Sequence, residues 1–135
     1  MAEITAEELR RRYEAGERDF RGLDLTEIEL RGKFTNADFT GTNFHFAQLR
    51  YCIFEGCDLS GVDFRGIHIE DWLQIKQCIF TGLDLSQAVG GSLIFSEGDL
   101  RNVRLRRINL FYGSAVNCNL RGVDLSESSW FNLTG

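Results

Sequence analysis

The chain has 135 residues and a mass of 15.4 kDa, enough for one domain and not comfortably for two. Hydrophobic residues make up 43% and charged residues 26%, the balance of a folded protein rather than a disordered one. Fifteen Lys and Arg against twenty Asp and Glu leave a net charge of −5. That argues against nonspecific polyanion binding, because no net positive field exists to displace counterions. The opening MAEITAEE is acidic where a secretory signal needs a basic start, and no apolar run approaches the length of about eighteen residues that marks a membrane span. A cytoplasmic protein without a membrane partner is expected.

Residues 1–17 carry a helical signal. Thr5 and Glu8 have the spacing of a capping box, Leu9 and Tyr13 lie four apart on one face, and Gly16 is a stop. A helix over residues 6–15 is predicted, covering the first layer of whatever follows and hiding its sheet edge.

From residue 18 onward, large apolar residues recur every five positions. Phe20, Leu25 and Leu30 come first, then Phe39, Phe44, Leu49, Phe54, Leu59, Phe64 and Ile69. A third run starts at Ile75 and continues through Phe80, Leu85, Phe95, Leu100, Leu105, Leu110, Leu120 and Leu125 to Trp130. Two residues before most centres stands a small or apolar residue, such as Ala37, Val62 or Cys78, and just before the centre often stands Asp or Asn. A period of five fits neither a helix nor a long strand. It fits short extended segments joined by corners, four of which close a coil of about twenty residues. Gly22, Gly41, Gly61, Gly82 and Gly122 recur at that interval, with Asn102 in the remaining slot. Gly and Asn tolerate the positive φ of a type II turn. One residue is missing near 33–34 and one is extra within 70–74, and the four-sided coil survives both slips.

The pattern A-[D/N]-L-x-x, as in Ala37-Asp38-Phe39-Thr40-Gly41, Cys57-Asp58-Leu59-Ser60-Gly61 and Val123-Asp124-Leu125-Ser126-Glu127, resembles the pentapeptide-repeat proteins over roughly residues 18–130. It is most similar to small bacterial members with an acidic N-terminal helix, abundant in cyanobacteria. The resemblance implies an all-β fold, a right-handed quadrilateral parallel β-helix over residues 18–135, with the centres and their small partners pointing inward. Coils about 4.8 Å apart would make six coils a rod roughly 29 Å long. Residues 128–135, with Trp130, Phe131 and Leu133, are expected to cap the rod or to join two rods end to end. The chain is thus a monomer or an end-to-end homodimer.

Cys52, Cys57, Cys78 and Cys118 all fall two before a centre and form no C-x-x-C pair. They read as buried free thiols, so no metal and no cofactor are expected. His45 and His68 fall outward without a catalytic partner. No P-loop, G-x-G-x-x-G, H-E-x-x-H or G-x-S-x-G motif is present, and no enzyme is expected. Gly90 and Gly91 replace one centre, leaving either a hole or a pinched side in the fourth coil.

Two surface features compete for a binding role. Asp19, Asp38, Asp58 and Asp99 should form one vertical ladder, and Asp24, Asp63, Asp84 and Asp124 another. By the resemblance these imply a DNA mimic acting on DNA gyrase or another topoisomerase. By their chemistry they are turn acceptors for free backbone amides, and Arg101, Arg104, Arg106 and Arg107 interrupt them. The other feature is an apolar corner of Tyr51, Ile53, Trp72, Ile94, Phe111, Tyr112 and Val116. Tyr51 and Tyr112 are expected in one slot three coils apart, and Ile53 and Ile94 in one column. The reading favoured by the sequence is a rigid scaffold that docks an unidentified protein, without direct contact to nucleic acid.

Overall fold

A chain that turns every five residues cannot satisfy its backbone within one coil, so its hydrogen bonds must run from coil to coil. In the computed structural model, which describes residues 2–129, they do. Strands β1 (Glu29–Thr35), β2 (Gln48–Glu55), β3 (His68–Lys76), β4 (Val89–Ser96) and β5 (Asn109–Val116) stack in chain order as one parallel sheet. The remaining sides are too short for strands and pair through single residues. Asp24, Asn43, Asp63, Asp84, Arg104 and Asp124 form one such column, and Asp19, Asp38, Asp58 and Ile79 part of another. The architecture is a parallel β-solenoid with one helix, α1 (Ala6–Glu14). From β1 to β5 it makes about four complete turns, fewer than the six coils expected. Six rungs are present in the column from Asp24 to Asp124, and again from Glu29 to Ser129, where a single bridge extends the sheet. The expected cap at Trp130, Phe131 and Leu133 lies outside the described residues.

The five-residue centres are the core. From Phe20 to Leu110 every large centre is buried, while Leu120 and Leu125 near the far end are half-buried. Phe20, Phe34, Phe39, Phe44, Phe54 and Phe64 form a continuous aromatic stack with ring centroids 5.0–6.3 Å apart. Thr42 takes an inward slot and is fully buried; its hydroxyl donates to the Phe20 carbonyl at 2.6 Å. The thiols of Cys52, Cys57 and Cys78 do the same toward Leu30, Phe34 and Phe54 at 3.2–3.3 Å. A polar atom inside this core is therefore tolerated where it reaches a carbonyl of the preceding coil.

The fourth coil is pinched rather than hollow. A Cβ on Gly90 would stand 2.3 Å from the Ile69 carbonyl oxygen, and one on Gly91 would stand 2.3 Å from that of Asp71. The backbone itself fills the place of the missing centre.

Helix α1 closes the N-terminal end. Thr5 caps it, its hydroxyl accepting the Glu8 N–H at 3.0 Å. The Glu8 carboxylate pairs with Arg11 and Arg12 instead of completing the predicted capping box. Leu9 is buried, and the Tyr13 ring packs edge-on to Phe34 at 5.1 Å. Arg10 donates to the carbonyls of Arg31 and Lys33 (2.9 and 3.1 Å), while the Tyr13 hydroxyl accepts the Thr35 N–H at 2.8 Å. Three polar groups of the open β1 edge are thereby occupied, which disfavours its pairing with another chain.

Two substitutions test this packing. Phe64 is fully buried, with Phe44 and Phe54 at 5.0 and 6.0 Å. Phe64→Ala should cost about 3–5 kcal/mol in denaturant unfolding, and a loss below about 1 kcal/mol would show that the centres are not the core. Gly61 has φ +65°. Gly61→Val should cost at least about 1–2 kcal/mol through left-handed strain alone, because the site itself has room for a Cβ.

Candidate functional site

With the inside filled, any function must reside on outward side chains, and the coil ladder sets their positions. The apolar corner read from the sequence is only partly one surface. Ile53 and Ile94 do share an outward column of the sheet, with Gln74 between them. Trp72, Ser92 and Tyr112 form the adjacent column. Tyr51 has no pairing partner in the column that Trp72, Ser92 and Tyr112 share. It occupies an irregularity between Arg50 and Cys52 at φ +51°, and there its ring meets Trp72 edge-on at 5.5 Å. Phe111 is 81% exposed at the start of β5. Val116, the last residue of β5, stands in the column of Lys76 and Ser96, away from the others.

Sequence reasoning missed three exposed apolar residues: Phe46, Ile79 and Val89. Ile79 had a signal, since it precedes its centre as Ile53 and Ile94 precede theirs. Phe46 occupies a corner at φ +60°, stacks on His45 at 4.0 Å, and lies over Gly66 of the next coil, where a Cβ would be 2.6 Å from its ring. His45 is thus part of a surface stack, and its N–H donates to Asn43 at 2.8 Å.

The cysteines are free thiols, three buried and Cys118 half-buried. Burial pushes Cys52 up to about 12. Cys78 is also raised, by a hydrogen bond shared with Cys57 and by burial. Such thiols are poor nucleophiles and poor metal ligands. Among the described residues no group of three or more His, Cys, Asp or Glu could hold a metal ion, and no helix is long and apolar enough to cross a membrane.

The two aspartate ladders exist as columns, but neither is unbroken. Asn43 and Arg104 stand in the second, and Ile79 separates Asp58 from Asp99 in the first. The carboxylates are also occupied. Asp24, Asp38, Asp58, Asp63, Asp84, Asp99 and Asp124 each accept the backbone N–H two residues on, at 2.9–3.1 Å. Arg21, Arg65 and Arg101 close ion pairs on Asp19, Asp63 and Asp99 at 2.7–2.8 Å, and Arg106 lies 3.6 Å from Asp124. A row of paired carboxylates with Ile and Arg inserted is a weak copy of a phosphate backbone.

Residues 33–66 and 95–126 match the family described as pentapeptide repeats, in eight copies. The chain is a pentapeptide-repeat protein. No curated protein matches its sequence. Among solved structures, it is similar to HetL, a pentapeptide-repeat protein involved in heterocyst differentiation regulation from the cyanobacterium Nostoc sp. strain PCC 7120. Identity is 19%, with 94% of this chain and 80% of that one covered and a TM-score of 0.36. It is also similar to QnrB1, a plasmid-mediated fluoroquinolone resistance protein, at 20% identity, 87% and 78% coverage and a TM-score of 0.35.

In this pentapeptide-repeat protein, an Asp before a centre serves the turn, and its ionisation reports that service. Asp19 is held down to about 2 by the Arg21 side chain and then by its backbone N–H. Asp24, Asp99 and Asp124 are lowered by side-chain hydrogen bonds from Thr26, Arg101 and Ser126 respectively. At Asp63 burial works upward, and the hydrogen bonds from Arg65 outweigh it. A carboxylate depressed on folding stabilises above its unfolded pKa, and that contribution is lost as pH falls through the folded value. The solenoid should therefore lose stability between about pH 4 and pH 2. In a carboxyl NMR titration, Arg21→Ala should return the Asp19 midpoint toward 3.8, and an unchanged midpoint would remove the turn-pairing account.

Proposed function

We propose that the chain is a non-catalytic scaffold that docks a protein partner on the outward face of its sheet. The observation that carries this reading is the Tyr51–Trp72 contact, an edge-on aromatic pair 5.5 Å apart on the outside of a rod whose core is otherwise inside. The columns beside it extend the apolar character through Ile53, Ile94 and Tyr112. Ile53 and Ile94 stand on a solvent face where the short sides of the coil carry Asp or Asn, and burial against a partner gives such apolar side chains a role. Burial of about 400 Å² of such surface contributes about 10 kcal/mol gross. Association entropy and side-chain ordering remove much of that, leaving a modest affinity centred on the aromatic pair. A rod without a lid presents these side chains at fixed spacing, which suits recognition rather than turnover.

The test is capture by immobilised protein from extracts of the source cells. A Tyr51→Ser, Trp72→Ser double variant should keep the wild-type circular dichroism spectrum and lose the captured protein. A control variant on another side, Arg65→Ser, should retain it. Capture unaffected by the double variant would place the contact surface elsewhere.

A further inference from the structure

One corner of the solenoid is built differently from the others, and the difference leaves hydrogen-bond donors without acceptors. Gly22, Gly41 and Gly61 have left-handed φ, and each amide donates to the coil above: to Thr40, Ser60 and Thr81, at 2.8–2.9 Å. At Gly82 the column stops. The amides of Phe80, Gly82, Asp99 and Asn102 donate to no backbone carbonyl among the described residues. The reason is Asn102. The sequence pattern predicts left-handed φ there, yet Asn102 does not adopt it, so the peptide linking it to Arg101 is turned over relative to its equivalents in the coils below. Gly82 thereby loses the carbonyl that would accept its N–H.

Two neighbouring substitutions deepen the exception. Thr40 and Ser60 give their N–H groups to Asp38 and Asp58, both at 2.9 Å. Thr81 follows Ile79, which offers no acceptor. Inside the same seam Gly98 lacks a side chain, and the Phe80 ring lies 2.3 Å from where its Cβ would stand, filling the inward slot that Ala37, Cys57 and Cys78 fill in other coils. On the outside a cleft of about 770 Å³ opens, lined by Thr81, Gly82, Asn102 and Arg104 among others.

Most charges around the cleft are already paired. Arg101 is held by Asp99 at 2.7 Å, and Arg106 lies 3.6 Å from Asp124. Asp84, also in the lining, accepts the Ser86 N–H at 2.9 Å. Arg104 replaces an acidic turn residue in the column between Asp84 and Asp124, and it has no ion pair among the described residues. The groups left without a partner are three backbone amides and the Arg104 guanidinium, beside one carboxylate, Asp84, that closes no ion pair. Donors without acceptors require water or a ligand, and an anion meets several of them at once with charge-assisted hydrogen bonds.

We propose that this cleft binds a small tetrahedral oxyanion of the phosphate or sulfate class, with Arg104 supplying the charge and the Thr81, Gly82 and Asn102 amides the cradle. The site is independent of the sheet face argued above, on which it places no demand.

The test is a titration of the full chain with inorganic phosphate at constant ionic strength, followed by amide NMR, with sulfate as a second arm and chloride as the control. Saturable shifts of Thr81, Gly82 and Asn102 are expected with phosphate and sulfate and not with chloride. Arg104→Gln should weaken binding by at least about tenfold and leave Tm unchanged. Asn102→Gly allows the left-handed turn, so it should close the ladder, raise Tm and abolish binding. Shifts that do not saturate, that spread over the other arginines, or that persist in Arg104→Gln would overturn the proposal. Should Asn102→Gly fail to fold, Arg104→Gln alone decides it.

Discussion

Every part of this molecule depends on the corner amide. Five residues form one side of a coil, and the N–H at the end of each side can find a carbonyl only in the next coil. That requirement sets the left-handed corner residues, the parallel stacking and the near-constant repeat length. It also explains why non-glycine residues accept an unfavourable φ in this fold. Glu27, Phe46, Gln87 and Arg107 are all left-handed, and each donates to the coil above at 2.9–3.0 Å. One hydrogen bond per corner, repeated coil upon coil, offsets the strain of each residue.

A rod held in this way has a surface of vertical columns in which the average residue serves the fold. The Asp before each centre is the clearest case, because its carboxylate accepts a turn amide and often an Arg as well. The functions proposed above therefore rest on residues that depart from the turn-serving pattern. Ile53 and Ile94 do so on the sheet, and Ile79, Asn102 and Arg104 do so at the seam. The helix supports this division by closing the β1 edge through Arg10 and Tyr13, which leaves the sides of the rod as the usable surface.

The architecture was legible in the sequence because size alternates with period five, and only inward positions tolerate that spacing of Phe and Leu. Gly90 and Gly91 were legible as a local defect for the same reason. What sequence could not supply was register at irregularities. Tyr51 carries the irregularity between Arg50 and Cys52 and has no pairing partner, whereas Trp72 pairs in register with Ser92. Asn102 was read as equivalent to glycine, yet Asn tolerates both turn geometries, and its neighbours decide which it takes. Arg10 carried no signal at all. Its role is visible only once the β1 carbonyls are seen to need donors.

The most direct measurement of the account is amide hydrogen exchange along the corner columns. If coil-to-coil hydrogen bonds hold the corners, the amides of Gly41, Gly61, Phe46 and Gln87 should exchange slowly, near the rate set by global unfolding. Those of Gly82 and Asn102, at the seam, should exchange fast. Rapid exchange at all of these corners would contradict the account, because the ladder would then not be what holds the coils, and so would protection at Gly82 equal to that at Gly61.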